Sequence, residues 1–308
     1  MSITTLKFIA LIFMTIDHLG QFIPDFPVWF HWIGRMSAPI FIFCMVWGYH
    51  YTKNKTLYVI RLYLLSNVMS FVNLILNIFI IEEFIQQDIW KTFYVTVENN
   101  IFSTLFSICI VISLIEFIKV NHRKGILMFI LYLIWQIIGA FFIILHVPEE
   151  YFQIVGNICG NACFVEGGLW VIILGVLLYY VKNNKKKLVI NLLACSLLFF
   201  VNAIFCISSN IVFHLPNVTL NANFNLQDAV ILVFQYFIGI PAMSINILDF
   251  EYIFYFDYQW MMLFSLPFIL AYNGKRGKKV KKFFYIYYPL HIYVLWFAGN
   301  IIYNYGIQ

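Results

Sequence analysis

From Leu6 onward the chain is a succession of long apolar runs separated by short polar loops. At 1.5 Å of rise per residue, a helix of ~20 residues crosses the ~30 Å hydrocarbon core of a bilayer. Runs of suitable length are Leu6–Ile23, Met36–Tyr51, Leu57–Ile81, Ile101–Lys119, Ile126–Leu145, Phe164–Val181, Leu188–Ile207, Ala229–Ile247, Ile253–Tyr272 and Phe283–Tyr303. They are continuously apolar, whereas strands of a membrane barrel alternate polar and apolar positions. The expectation is therefore an all-α, polytopic transmembrane helix bundle of about ten spans, built as one integral domain over residues 1–308. Composition agrees. Of 308 residues, 63% are hydrophobic and 11% charged, where a soluble domain carries ~25% charge. The opening MSITTLK has no basic leader and no small-residue cleavage site, so the first run reads as a retained span.

Charge in the loops sets the expected orientation, because cytoplasmic loops concentrate Lys and Arg. Lys53, Lys55 and Arg61 follow the second run; Lys119, Arg123 and Lys124 the fourth; Lys182, Lys185, Lys186 and Lys187 the sixth. The third loop carries Glu82, Glu83, Asp88 and Glu98 against Lys91, and the fifth carries Glu149 and Glu150. The amino terminus is expected to be cytoplasmic, with Trp29, Phe30 and Trp32 in an outer aromatic belt. The net charge of +5 then reports topology rather than a nucleic-acid partner. One loop resists this pattern. Lys275, Arg276, Lys278, Lys279, Lys281 and Lys282 are the densest basic cluster, yet strict alternation of ten spans places it outside. Either Ala229–Ile247, interrupted by Gly239 and Pro241, fails to cross, or the cluster is basic for another purpose such as holding an anion.

Against this apolar background, ionisable residues at membrane depth are functional candidates. Asp17 and His18 adjoin within the first run. Adjacent helical side chains diverge by ~100°, so the two face different partners. His18, ~18 Å along the helix from Leu6, suits proton transfer near neutral pH, with Asp17 setting the field. Arg35 opens the second run, close to the end of the first, and could neutralise Asp17, stabilise an oxyanion or hold a phosphate. His291 lies inside the last run, two residues after Pro289, which should kink the helix. Each of these residues also has a structural reading, as an interhelical bond, a snorkelling side chain or a packed imidazole. Glu166 is expected to cap or pair at an interface. Asn67, Asn73, Asn77, Gln136, Asn202 and Gln235 are expected to bond between helices. Four cysteines, Cys44, Cys109, Cys195 and Cys206, fall in apolar runs as small hydrophobes. Cys159 and Cys163 bracket a loop in ICGNAC without the further ligands a metal framework needs. Asn217-Val218-Thr219 matches a glycosylation pattern that matters only in a eukaryotic secretory pathway.

Three segments, LKFIALIFMTIDHLG, WIGRMSAPIFIFCMVWGYHYTKNK with RLYLL after it, and LAYNGKRGKKVKKFFYIYYPLHIYVL, together resemble the TraX family of membrane proteins. His18 falls on that family's Asp-His motif, Arg35 on its Gly-Arg motif, His291 on its Tyr-Pro-x-His motif, and Lys275 and Arg276 on its Asn-Gly-Lys-Arg-Gly motif. The resemblance implies an acyltransferase, an acetyltransferase in the first instance, with acetyl-CoA as cosubstrate arriving from the cytoplasm. The implied site is His18 as general base with Asp17, Arg35 and His291. Lys275, Arg276, Lys53 and Arg61 would grip the donor's phosphates. The implied setting is a bacterial cell membrane, with the lipid bilayer and an acceptor of unknown chemistry as partners. The alternative left open by the residues is a proton-coupled transporter using Asp17, His18 and His291.

Overall fold

The computed structural model describes residues 1–86, 96–216, 218–221, 224–234, 252–255 and 257–305. Among these the chain is a helical bundle. In order it forms α1 (Ile3–Phe22), α2 (Trp29–Gly34), α3 (Ser37–His50), α4 (Lys55–Gln86), α5 (Ile101–Val120), α6 (His122–His146), α7 (Phe152–Ile158), α8 (Gly168–Val181), α9 (Lys185–Phe205) and α10 (Ile207–Phe213). A two-stranded hairpin, β1 (Thr219–Asn221) and β2 (Phe224–Asn225), leads to α11 (Leu226–Leu232) and α12 (Tyr252–Tyr255). A 3-10 stretch, Gln259–Ser265, then continues into α13 (Leu266–Leu270), and α14 (Lys281–Tyr305) follows.

Among the described residues, six helical segments are long and apolar enough to cross a membrane: Ile3–Phe22, Trp29–His50, Lys55–Ile78, Ile101–Val120, His122–His146 and Lys185–Phe205. Two shorter apolar helices, Gly168–Val181 and Gln259–Leu270, accompany them. Both the interior and the outer surface are apolar. α3 is the central helix, with Ile40, Phe43, Cys44 and Tyr49 buried, whereas α6 presents Leu127, Leu131, Ile138 and Phe142 outward. An apolar outer surface of this kind is what a lipid solvent requires. The expected run Ala229–Ile247, with Gly239, Pro241 and Gln235, lies outside the described residues except for its first turns, as do Lys91 and Asn217.

The first and last helices lie side by side and run parallel. Phe8 packs on Phe283 and Phe284, Thr15 Oγ1 bonds Tyr287 Oη at 3.1 Å, and His18 meets His291. At Gly299 a Cβ would overlap the carbonyl of Phe22, so only glycine lets the two helix ends come together. α14 is one helix with Pro289 inside it.

The amino terminus is tied to the basic loop. Ile3 N donates to Lys275 O (3.0 Å), Thr4 N to Arg276 O (3.2 Å), Asn273 N to Met1 O (2.9 Å), and the terminal amine to Ala271 O. Trp47, near the end of α3, packs on Tyr272, and Tyr49 packs on Tyr179 near the end of α8. The densest basic loop therefore shares one end of the bundle with the amino terminus and the loops after α3 and α8. This removes the conflict posed by strict alternation. Its cause is visible at the opposite end, where Asn202, near the end of α9, bonds Asp257 at 2.8 Å. The end of α9 and Asp257 therefore lie at the same end of the bundle.

An extended stretch, residues 96–100, enters the far end of the bundle before α5. Backbone out of helix inside such a bundle needs a partner for each polar group. Asn77 supplies both for Val97, accepting from its N–H (2.9 Å) and donating to its C=O (3.3 Å). Gln153 donates to Glu98 O, and Asn73 to Asn99 O at 3.2 Å. Asn100 N donates to Glu166 at 2.8 Å, and Ile101 N to Tyr288 Oη at 2.8 Å. Asn73 bonds between helices as expected, donating to Gln153 Oε1 on α7 at 3.2 Å and accepting from Tyr293 Oη on α14 at 3.1 Å, but Asn77 departs from that expectation by serving backbone. Asn73 and Asn77 clamp a strand-like segment. Gln136 likewise serves the loop backbone at Gly160 and Ala162, and Asn67 bonds Tyr63 O one turn back in its own helix. Asn202 bonds Asp257 and the N–H of Ser208.

Candidate functional site

Two linked constellations occupy the far end of the bundle, one on each side of α1. On the first, Asp17 is saturated. His31 Nδ1 donates to its Oδ1 at 2.8 Å and Arg35 Nη2 to its Oδ2 at 2.6 Å. Arg35 Nη1 reaches Gln259 Oε1 at 3.2 Å, its guanidinium lies 5.5 Å from the Tyr258 ring centroid, and that ring stacks on His31. α2 makes this possible by folding back across α1, and a Cβ at Gly34 would overlap the Asp17 side chain. Asp17 therefore neutralises Arg35, one of the roles the sequence offered for the pair. Glu166 also interacts electrostatically with Arg35, though its carboxylate bonds Asn100 N and Tyr288.

On the other side of α1, His18 faces α14 and is 3% exposed. Its Nδ1 lies 2.7 Å from His291 Nε2, and the rings stack with centroids 4.9 Å apart. His291 stacks in turn on Tyr287. The hydrogen bonds fix the protons. His291 Nδ1 faces the carbonyl of Tyr287 at 2.9 Å and must carry a hydrogen, so in a neutral ring Nε2 is the acceptor. His18 Nδ1 then donates to it, which leaves His18 Nε2 to accept from Asn99 Nδ2 at 3.3 Å. One directed chain results, Asn99 to His18 to His291 to Tyr287 O, with every imidazole nitrogen satisfied while both rings are neutral. A proton taken at His18 Nε2 has a ready exit through Nδ1 to His291. Such a chain can accept, hold and return a proton.

The chain matches the family model described as TraX protein over residues 2–152 and 135–298. It belongs to the TraX family. Neither a curated protein nor a solved structure matches it. In this TraX protein the family-type residues His18 and His291 form one pair, and Asp17 and Arg35 form another beside it. Lys275 and Arg276 lie apart, at the opposite end, where their carbonyls hold the amino-terminal segment. Lys53 and Arg61 are exposed. An open cleft at the basic end is lined by Arg276, Lys279, Val280, Lys282 and Phe283. Among the described residues no cluster of metal-ligating side chains exists, and all six cysteines are free thiols.

Sequence reasoning missed His31, Asn99, Tyr258, Gln259 and Asp257. Asp257, 1% exposed, carried the same signal as Asp17, a carboxylate inside an apolar run. His31 was hidden among the aromatic residues of WFHW. Nothing local marks Asn99, whose role depends on a strand entering from another part of the chain.

Proposed function

We propose that this TraX-family protein is a membrane-embedded acyltransferase that moves an acyl group, an acetyl group in the first instance, from acyl-CoA to an amine or hydroxyl acceptor. The observation that carries the reading is the directed His18–His291 chain, a buried base with a prepared proton exit. In the proposed reaction the acceptor's X–H loses its proton to His18 Nε2 as X attacks the thioester carbonyl. The C–S bond breaks, and the proton is returned to the departing thiolate. His291 takes up charge from His18 during the attack. Arg35, held by Asp17 and Gln259 on the other side of α1, fixes the helix that carries His18 and contributes only a neutralised charge to the field there.

The donor is acetyl-CoA as cosubstrate, its phosphates gripped at the basic end by Lys275, Arg276, Lys53 and Arg61. The cleft at Arg276, Lys279 and Lys282 supports that assignment. Counting 1.5 Å per residue over the fifteen from Ile3, His18 lies ~22 Å from that end, so the acyl arm must thread into the bundle beside α1. Among the described residues the crossings in the bilayer are α1, α2–α3, α4, α5, α6, α8, α9, 257–272 and α14. The amino terminus and basic end are cytoplasmic, in a bacterial cell membrane.

The test is incubation of the purified protein with labelled acetyl-CoA and panels of amines and alcohols. Transfer that disappears in His18→Ala is the expected result. Proton-driven uptake into proteoliposomes without thioester consumption would instead favour the carrier reading of Asp17, His18 and His291.

A further inference from the structure

His18 is proposed as a base, yet in this structure neither of its nitrogens is free. Nδ1 is committed to His291, and Nε2 is covered by Asn99. An acceptor can lose its proton to Nε2 only where the amide now sits.

Asn99 is built to yield. Its bond to His18, at 3.3 Å, is the longest in the chain that runs on through His291 at 2.7 and 2.9 Å. Its amide has a second partner. Gln21, three residues past His18 on α1, donates to Asn99 Oδ1 and accepts from Asn99 Nδ2, both at 3.1 Å. An amide nitrogen carries two hydrogens, so losing His18 leaves Asn99 paired through both its polar ends. Its backbone does not have to move, because Asn73 holds the carbonyl of Asn99 and the next N–H is held by Glu166. Only side-chain torsions need change. Asn99 is half-buried, whereas His18 behind it is almost wholly closed off.

We propose that Asn99 is a displaceable stopper on His18: the acceptor replaces its amide N–H at Nε2, and Gln21 retains the released amide. The proposal rests on the acyl-transfer reading above and adds to it a residue that protects the thioester from water. With the stopper in place, no small nucleophile reaches the base. Without it, water is the acceptor. Its proton passes to His18 Nε2, its oxygen bonds the acetyl carbon, the C–S bond breaks, and the proton goes on to the thiolate, giving acetic acid and free CoA.

The experiment measures hydrolysis of labelled acetyl-CoA by the full-length purified protein, with water as the only acceptor. Asn99→Ala should raise the rate about threefold to tenfold, the worth of one neutral hydrogen bond. Gln21→Ala should lower it, because Asn99 then has no other partner and holds His18 more firmly. Opposite shifts in two touching residues cannot arise from shared damage to the fold. Asn99→Ala combined with His18→Ala should return to background. A rate unchanged or reduced in Asn99→Ala, or both single variants shifting in the same direction, overturns the stopper while leaving His18-dependent hydrolysis intact. If Asn99→Ala does not hydrolyse the thioester above background, the stopper falls, while loss of transfer to every amine and alcohol in the acceptor panel is what brings down the acyl-transfer reading.

Discussion

His18 and His291 are 273 positions apart in the chain, yet His18 Nδ1 lies 2.7 Å from His291 Nε2. The parallel packing of α1 and α14 brings them together, with Thr15 and Tyr287 bonded below and Phe22 against Gly299 above. A pair formed from the two ends of a chain is sensitive to how those ends dock. Gly299→Ala, which would drive a methyl group into the Phe22 carbonyl, is expected to destabilise the protein by ~1–3 kcal/mol. Thermal melting of the detergent-solubilised protein reads this.

Asp17 is the counter-ion of Arg35. Asp17→Asn leaves that cation half-buried and unpaired. Loss of one partner of a buried pair costs about 3–5 kcal/mol, and Arg35's side chain is 28% exposed, so about 2–3 kcal/mol is expected. Removing Arg35 as well, in Asp17→Asn with Arg35→Gln, should restore part of the loss. A double-mutant cycle by chemical denaturation measures the coupling.

Asn77 satisfies both backbone groups of Val97. Asn77→Leu keeps the side-chain size and strands a buried donor and acceptor, each worth ~1–3 kcal/mol when unmatched. The expected outcome is faster hydrogen exchange in residues 96–100, with α3 unchanged, by mass spectrometry.

Much of the fold is written in apolar run length. Six of the expected runs are described helices long and apolar enough to cross a membrane, because length and hydropathy are local properties, while Ile253–Tyr272 is broken into short helical pieces. The basic loop at Lys275–Lys282 was ambiguous because its side depends on the path between α9 and Asp257, which run length does not encode. The site divides in the same way. Asp17, His18, Arg35 and His291 stood out because ionisable groups are rare in apolar helices. Asn99, Gln259 and Tyr258 are ordinary polar residues in the sequence and become part of the site only through tertiary packing. The asparagines of α4 were legible as buried polar groups but not as clamps, since their partner is an extended segment that no periodicity announces.

The end-to-end arrangement is open to a labelling test. In a cysteine-free background, Thr52→Cys and Lys275→Cys should react with a membrane-impermeant thiol reagent from one side of sealed vesicles. Glu149→Cys should react from the other. Reaction of Lys275→Cys from the same side as Glu149→Cys would break the pairing of the amino terminus with the basic loop.

The most direct test compares acetyl transfer by His18→Ala, His291→Ala and the double variant. Groups that act as one unit are strongly non-additive. Each single variant should lose transfer about 10²- to 10⁴-fold, and the double variant should lose no more than His18→Ala alone. Full transfer by His18→Ala, or losses that simply multiply in the double variant, would contradict a single proton-handling pair at His18 and His291.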